Sequence, residues 1–290
     1  MKLPKVAVII PNHNGLELLK KTLNTINKQT YKNIRIIVID NASVDNSLKY
    51  LSTQKYIKTI KLTRNFGFAK AVNLGIKIFK ADYFLITNND VLFENACITN
   101  LVDTLIDDPD IGIIGPKIYK TGTKILDMRG FKVNPFLGYK PYDLSNTNTA
   151  HETEWITGTA MLVKREVFKK IGLFDEKFFF TFEDLDLCFR TKESGFKIYF
   201  QPKAIIWHGT GTGFRSQNQG KLLTEDFYKK RYYFLYKAKF YFLKKHANPF
   251  AITSSLIFQF LIFTPINLFK NNANLAEILR AFKEVFLNTK

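Results

Sequence analysis

The sequence predicts an α/β protein on an open, mostly parallel twisted sheet flanked by helices. Three observations predict it. Apolar runs of strand length alternate with helix-period stripes through the first half of the chain; the runs are apolar on both faces, as buried parallel strands are; and each run stops on polar residues.

Val6–Ile10 is uninterrupted apolar text and forms the first strand. Leu16, Leu19, Leu23 and Ile26 then fall on one helical stripe, and Asn14 with Glu17 three residues on predicts a capping box at its start. Arg35–Ile39, Thr59–Leu62 and Tyr83–Thr87 follow as strands, with a helix marked by Ala69, Val72, Ile76 and Phe79 between the last two. This βαβαβ order predicts right-handed crossovers and a ligand crevice at the carboxyl ends of the strands. Those ends read Pro11-Asn12, Asp40-Asn41, Arg64-Asn65 and Asn88-Asn89-Asp90, so one sheet edge carries a cluster of polar groups. Thr121–Ala150 turns to Gly, Pro, Asn and Thr and predicts a long irregular connection over the crevice. Order returns at a strand Ile156–Lys164, a short helix near Glu166–Ile171, and two short strands, Lys197–Phe200 and Ala204–His208.

An apolar fraction of 46% and nine prolines in 290 residues predict a folded chain with ample core. Cys97 and Cys188 are the two cysteines; they lack metal-ligand spacing and fit a reducing compartment. Met1–Pro4 leads straight into the first strand, without the pattern of a signal peptide. The formal charge of +18 calls for an anionic partner: nucleic acid, an acidic membrane leaflet or a phosphorylated substrate. Position favours the membrane. Lys229, Lys230, Arg231, Lys237, Lys239, Lys244 and Lys245 are interleaved with Phe and Tyr and precede Pro249–Phe269, which is uncharged. Thr253, Ser254, Ser255, Gln259, Pro265 and Asn267 make that stretch a weak span, which favours peripheral or monotopic attachment at the cytoplasmic face.

No G-x-G-x-x-G, G-x-x-x-x-G-K-[ST] or G-x-S-x-G motif is present, so a bound nucleotide needs another neutraliser of its phosphates, and a divalent metal, Mg2+ or Mn2+, is the usual one. Asp90 at a strand end suits such an ion through oxygen. Glu183, Asp184 and Asp186 form an acidic cluster among aromatics, where desolvation raises a carboxylate pKa toward that of a general base. Asp186 is read as pairing with Arg190 at i+4, and Asp184 as the base. His208 ends a strand before Gly209 and is placed to complete a metal site with Asp90.

Taken together these blocks resemble the family 2 glycosyltransferases, particularly the rhamnosyltransferase-like branch that builds bacterial cell-surface polysaccharides. The resemblance rests on Val8–Gly15, Val38–Asp45, Asn65–Ala69 with Asn73, Asn88-Asn89-Asp90, Thr157–Leu162, Gly172–Glu176, Glu183–Arg190 and His208, and spans roughly residues 5–235. It implies a GT-A fold over residues 1–220, with a nucleotide-sugar-binding half at about 1–115 and an acceptor half at about 116–220. Residues 221–290 form a helical, membrane-associating extension. It implies a UDP- or dTDP-linked sugar donor, rhamnose being one candidate sugar, a glycan or polyprenyl-linked acceptor, and inversion at the anomeric carbon. Pro11, Asn12, Asn14 and Asp40 then line the nucleoside pocket, with Asp40 accepting from the pyrimidine. Asn65, Gly67, Asn88 and Asn89 border the diphosphate; Asp90 and His208 hold the metal; Trp155, Gly158, Thr159 and Glu183 border sugar and acceptor; Asp184 is the base. Asn88 replaces the first acid of the family's D-x-D motif, which implies weaker metal affinity. A sugar nucleotidyltransferase would place a glycine-rich basic loop where Pro11-Asn12-His13-Asn14 stands, and a nucleic-acid-binding protein would have no use for Glu183–Asp186; neither reading is preferred, and no nucleic-acid partner is expected.

Overall fold

The structure is a computed structural model that describes residues 3–128, 130–134, 140–142, 147–179, 181–209, 225–271 and 274–287. The chain divides into two compact units: 1–131, 144–176 and 183–217 form the first, and 132–143, 177–182 and 218–290 the second.

The first unit is built on one sheet. Its nucleotide-half strands are β1 (Val6–Asn12), β2 (Ile34–Asp40), β3 (Ile57–Lys61) and β4 (Tyr83–Thr87), in the parallel order β4-β1-β2-β3. The helices between them are α1 (Leu16–Asn27), α2 (Ser47–Thr53) and α3 (Phe68–Ile78). Then follow β5 (Val91–Phe93), α4 (Cys97–Asp107), β6 (Ile111–Lys120), β7 (Leu126–Met128), β10 (His151–Thr153), β11 (Ala160–Lys164), α5 (Arg165–Ile171), α6 (Glu183–Glu193) and β12 (Lys197–His208); β8 (Lys132–Asn134) and β9 (Lys140–Tyr142) pair in the second unit. β6 and β12 pair in parallel, whereas β11, β10, β5 and β7 join antiparallel.

Period-two side chains build a layer on each face of this sheet. Val6, Val8 and Ile10 share one core with Ile36, Val38 and Leu85, covered by Leu19, Leu23 and Ile26 of α1 and by Ile98, Leu101 and Val102 of α4. Ala7 and Ile9 face the other core with Ile37, Ile39, Phe84 and Ile86, covered by Val72 and Ile76 of α3, Val167 and Phe168 of α5, and Leu187 of α6. Burial on both sides is why these strands read as unbroken apolar text. Both cysteines lie within these cores, fully buried and unbridged.

Three expectations change. The capping box does not form: Asn14 is left-handed (φ 52°), Gly15 is the N-cap, and the Leu16 amide donates to Asp45 Oδ2 at 3.1 Å. A loop across the crevice thus caps α1 in place of its own sequence neighbour. Lys197–Phe200 and Ala204–His208 are one strand, β12, because Pro202, Lys203 and Ala204 are absorbed as a bulge between the Gln201–Pro116 and Ile205–Lys117 pairs with β6. Thr121–Ala150 holds short strands, β7 among them, where an irregular connection is predicted.

The second unit contains α7 (Glu225–His246), α8 (Pro249–Phe258), a π-helical turn Gln259–Phe263, α9 (Thr264–Asn271) and α10 (Leu275–Phe282), with a further π-helical turn Lys283–Leu287. The side chains of Lys229, Lys230 and Arg231 lie outside the described residues. The run Pro249–Phe269 has a mean hydropathy of 1.6 and is long and apolar enough to cross a membrane, yet only 17% of its most apolar window is buried. Its polarity is inverted. Ser255, Gln259 and Thr264 are buried, while Phe250, Leu261 and Phe269 are 72%, 72% and 87% exposed. The buried polar groups meet α7: Lys239 Nζ donates to Gln259 Oε1, Tyr236 Oη lies 3.4 Å from Thr264 Oγ1, and Asn267 Nδ2 donates to Tyr236 Oη at 3.0 Å.

Asp186 is fully buried and accepts from Arg190 Nε at 2.9 Å, the i+4 pair read from the sequence; Arg190 also donates to the Ile171 and Leu173 carbonyls. Removing one partner of such a pair strands a desolvated charge. An Asp186→Ala variant should therefore lose about 3 kcal/mol in urea unfolding, whereas an exposed pair such as Lys20–Glu17 should be worth under about 1 kcal/mol. Equal small losses at both positions would contradict the assignment.

Candidate active site

The parallel register sets Asn12 opposite Asp40, so the two polar strand ends meet at one edge. Asn12 Nδ2 donates to Asp40 Oδ2 at 3.4 Å and to Ser43 Oγ at 3.2 Å, and Asn12 Oδ1 accepts from Asn89 Nδ2 at 2.6 Å. A Cβ at position 15 would stand 2.1 Å from Asn89 Nδ2, so glycine there is what lets Asn89 reach Asn12. Asp40 is fully buried, with Oδ1 held by the Ser43 amide at 2.9 Å. Pro11-Asn12-His13-Asn14 is laced to the loop after β2. His13 Nδ1 contacts the Asn41 carbonyl at 2.8 Å, the Asn14 amide donates to Ser43 Oγ at 3.0 Å, and the Val44 amide donates to Asn14 Oδ1 at 2.8 Å. Asn14 and Ala42 are both left-handed, strain that this lacing holds in place.

Asn41 is the residue the sequence reading passed over. Its Nδ2 donates to Asn65 Oδ1 (2.9 Å) and to the Gly67 carbonyl (3.2 Å), its Oδ1 accepts from the Phe66 amide (2.9 Å), and Asn65 Oδ1 also accepts from the Gly67 amide (2.9 Å). Gly67, at φ 84°, needs its glycine. An Asn directly after a strand-ending Asp was the available signal.

The end of β4 is tied to β11. Thr87 Oγ1 donates to the Thr159 carbonyl at 2.9 Å, and the Asn88 amide donates to the same oxygen at 3.1 Å. One residue earlier, the Gly158 amide donates to Asp184 Oδ2 at 2.7 Å, while Asp184 Oδ1 accepts from the Leu185 amide at 2.7 Å. Asn88–Asp90, Gly158-Thr159 and Asp184 therefore lie along one chain of bonds. Asp184 sits in the first turn of α6, and the two residues before that helix, Thr181 and Phe182, are both left-handed.

Among the described residues Trp155 Nε1, Thr157 Oγ1 and Glu183 Oε2 are buried without a hydrogen-bond partner; Trp155 and Glu183 act on the Asp184 charge, and Thr157 precedes Gly158, whose amide holds Asp184. The Trp155 indole pulls weakly on the Asp184 charge but stands outside hydrogen-bond geometry, and its ring packs on Phe131 at 5.5 Å. Burial raises Asp184 above the ordinary carboxylate range, against the opposing pull of the Gly158 and Leu185 amides. Burial, then repulsion from Asp184, pushes Glu183 up to about 8.

The ladder between β5 and β12 pairs Val91 with His208 and so brings Asp90 beside it. Asp90 Oδ1 lies 3.4 Å from His208 Nε2, and Asp127 Oδ2 on β7 lies 3.4 Å from His208 Nδ1. Burial pulls the His208 pKa down, but Asp90 and then Asp127 outweigh it, and the imidazole titrates above its ordinary value. Asp90 Oδ1 and His208 Nε2, 3.4 Å apart, form an oxygen–nitrogen donor pair that would suit one divalent ion. Among the described residues no group of three or more His, Cys, Asp or Glu is arranged to hold a metal, so these two would share an ion with oxygens of a ligand or water.

Comparison with known proteins bears on this arrangement. The profile of Glycosyl transferase family 2 matches residues 7–172. A glycosyltransferase of Rickettsia typhi, itself uncharacterised, is 31% identical over 214 residues, 70% of this chain and 63% of the relative. The N-acetylglucosaminyl-diphospho-decaprenol L-rhamnosyltransferase of Mycobacterium tuberculosis is 25% identical over 235 residues, 71% of this chain and 75% of that enzyme. The structure of GalNAc-T7 with UDP, GalNAc and Mn2+ superposes with a TM-score of 0.65 at 17% identity, over 92% of this chain and 58% of that one. The chain thus spans less than two thirds of the length of the rickettsial relative and of GalNAc-T7. The fold is GT-A.

A raised Glu183 pKa stabilises the fold below the unfolded value of 4.5, and that contribution is lost as pH climbs through about 8. Relative to the native chain, a Glu183→Gln variant should gain thermal stability steadily from pH 4.5 to about 8 and level off above. A difference in Tm that is independent of pH would rule out the buried, protonated carboxyl.

Proposed function

The chain belongs to glycosyl transferase family 2, and on that premise we propose that it transfers a sugar from a nucleotide-sugar donor to a hydroxyl, with inversion and with Asp184 as the base. The observation that carries this reading is the setting of Asp184: a buried carboxylate clamped by two backbone amides, beside three buried polar atoms with no protein partner. Buried polar atoms left unpaired in a native site are groups that await a ligand. Trp155 Nε1 supplies a donor, Thr157 Oγ1 both a donor and an acceptor, and a protonated Glu183 a donor, a set suited to sugar hydroxyls.

The chain's own groups divide the work. Pro11, Asn12, Asn14 and Asp40 serve the nucleoside, and Asn65, Gly67, Asn88 and Asn89 the diphosphate. Asp40 accepts one bond on each oxygen, which fixes Asn12 and Ser43, and keeps acceptor capacity for a pyrimidine N–H. Asp90 and His208 would hold Mg2+ or Mn2+, which when bound offsets the charge of the diphosphate leaving group. Gly158 and Thr159 fix Asp184 relative to that edge. Asp184 takes the proton from the acceptor hydroxyl as its oxygen attacks the anomeric carbon opposite the leaving diphosphate, and one displacement with one base inverts the centre. The mycobacterial relative, named for a decaprenol-linked acceptor and rhamnose, supports a polyprenyl-linked glycan acceptor and rhamnose as a sugar to try first.

An acceptor of that kind sits in a membrane. The inverted polarity of Pro249–Phe269, polar groups inward and Phe250, Leu261 and Phe269 outward, supports monotopic attachment to an anionic surface at the cytoplasmic face, aided by the basic α7.

Asp184→Asn should bind donor with unchanged affinity yet release nucleoside diphosphate about 10²-fold more slowly or worse; near-normal turnover would sink the assignment. A donor screen over UDP- and dTDP-sugars reads out the sugar in the same assay. A Leu261→Asp/Phe269→Asp variant should move from the pellet to the supernatant when spun with acidic phospholipid vesicles. Unaltered sedimentation would argue against the membrane face.

A further inference from the structure

We propose that Asp127 is the positioning residue of the cation site: it fixes His208 in the tautomer and orientation that bind a divalent ion. The inference rests on Asp90 and His208 being the ion's protein ligands. β6 runs between β7 and β12, and Asp127 on the one reaches His208 on the other. Both side chains are nearly buried, at 12% and 13% exposed.

An ionised carboxylate only accepts hydrogen bonds. Asp90 Oδ1 stands as far from Nε2 as Asp127 Oδ2 does from Nδ1, 3.4 Å, so Asp127 is what makes available the imidazole form that carries its proton on Nδ1. The lone pair is then on Nε2, which faces Asp90 Oδ1 at 3.4 Å. Two acceptors face each other across that gap, and a cation is what satisfies both. Without Asp127 the neutral ring is free to carry its proton on Nε2 and donate to Asp90, and the site closes on itself. A carboxylate behind a ligating histidine acts in this way at metal sites generally, and its loss lowers metal affinity about 10–100-fold. Asp127 is not itself a ligand, since it meets the ring from the far nitrogen and no three-residue ligand group is found among the described residues.

The test uses the full chain and Mn2+ alone, followed by loss of the free-ion EPR signal, with Asp127→Ala, Asp127→Asn and His208→Ala compared. Asp127→Ala should weaken Mn2+ binding about 10–100-fold, and Asp127→Asn, which keeps an accepting oxygen without the charge, should recover part of the loss. Nitrogen-15 spectra of histidine-labelled, metal-free protein at alkaline pH should show a larger share of His208 protonated on Nδ1 in the native chain than in Asp127→Ala, which shifts toward Nε2–H. Native-like Mn2+ affinity in Asp127→Ala beside a large loss in His208→Ala would overturn the role of Asp127 alone. No loss in His208→Ala would instead overturn the cation site on which it rests. Should the alanine variant not fold, an Nε2–H tautomer in the Mg2+-saturated native chain is by itself enough to reject the proposal.

Discussion

Parallel pairing of β4, β1, β2 and β3 is the constraint on which the rest depends. Strands that run the same way all end at the same edge, so polar residues separated by tens of positions in sequence are delivered to one line. Asn12 meets Asp40 because the register matches them, and Asn89 reaches Asn12 because Gly15 leaves the space. A hairpin-built sheet would have sent alternate strand ends to opposite edges.

The antiparallel strands then extend that line. β11 lies against β4 and carries Thr159 to Thr87, and the adjoining Gly158 holds Asp184. Asp184 is thus referenced to the sheet through backbone groups, which have less freedom to move than side chains. The left-handed pair Thr181 and Phe182 shows the strain accepted to start α6 at the acidic residues. On the proposed reading, rigidity at Asp184 and unmet hydrogen-bonding capacity around it are two sides of one design, because a group that must wait for substrate has to be held still while it waits.

Much of this was legible in the sequence, for physical reasons. Double-sided burial makes the strands conspicuous, and a carboxylate such as Asp186 with Arg190 four residues on advertises its pairing. What escaped is non-local. Asn14 and Glu17 spell a capping box, but the Asn14 amide is taken by Ser43 Oγ and the Leu16 amide by Asp45, and nothing in local spacing announces that. The bulge between Gln201 and Ile205 hides a single strand behind an interruption by Pro202 and Lys203. Asp127 lies in turn-rich text where three-residue strands leave no periodicity, so its place behind His208 emerges only from the β7–β6–β12 arrangement.

The β5–β12 ladder has only three residue pairs, and Asp90 and His208 stand at its closed end from opposite partners. Any ligand that grips both side chains also staples the ladder, so its binding free energy becomes folding free energy for this corner of the sheet. Such coupling follows mass action: a ligand at one hundred times its dissociation constant adds about 2.7 kcal/mol to the bound form. Heat resistance of this corner would then track the supply of that ligand in the surrounding solution, and the cell's ionic composition would enter directly into how long the catalytic edge stays assembled.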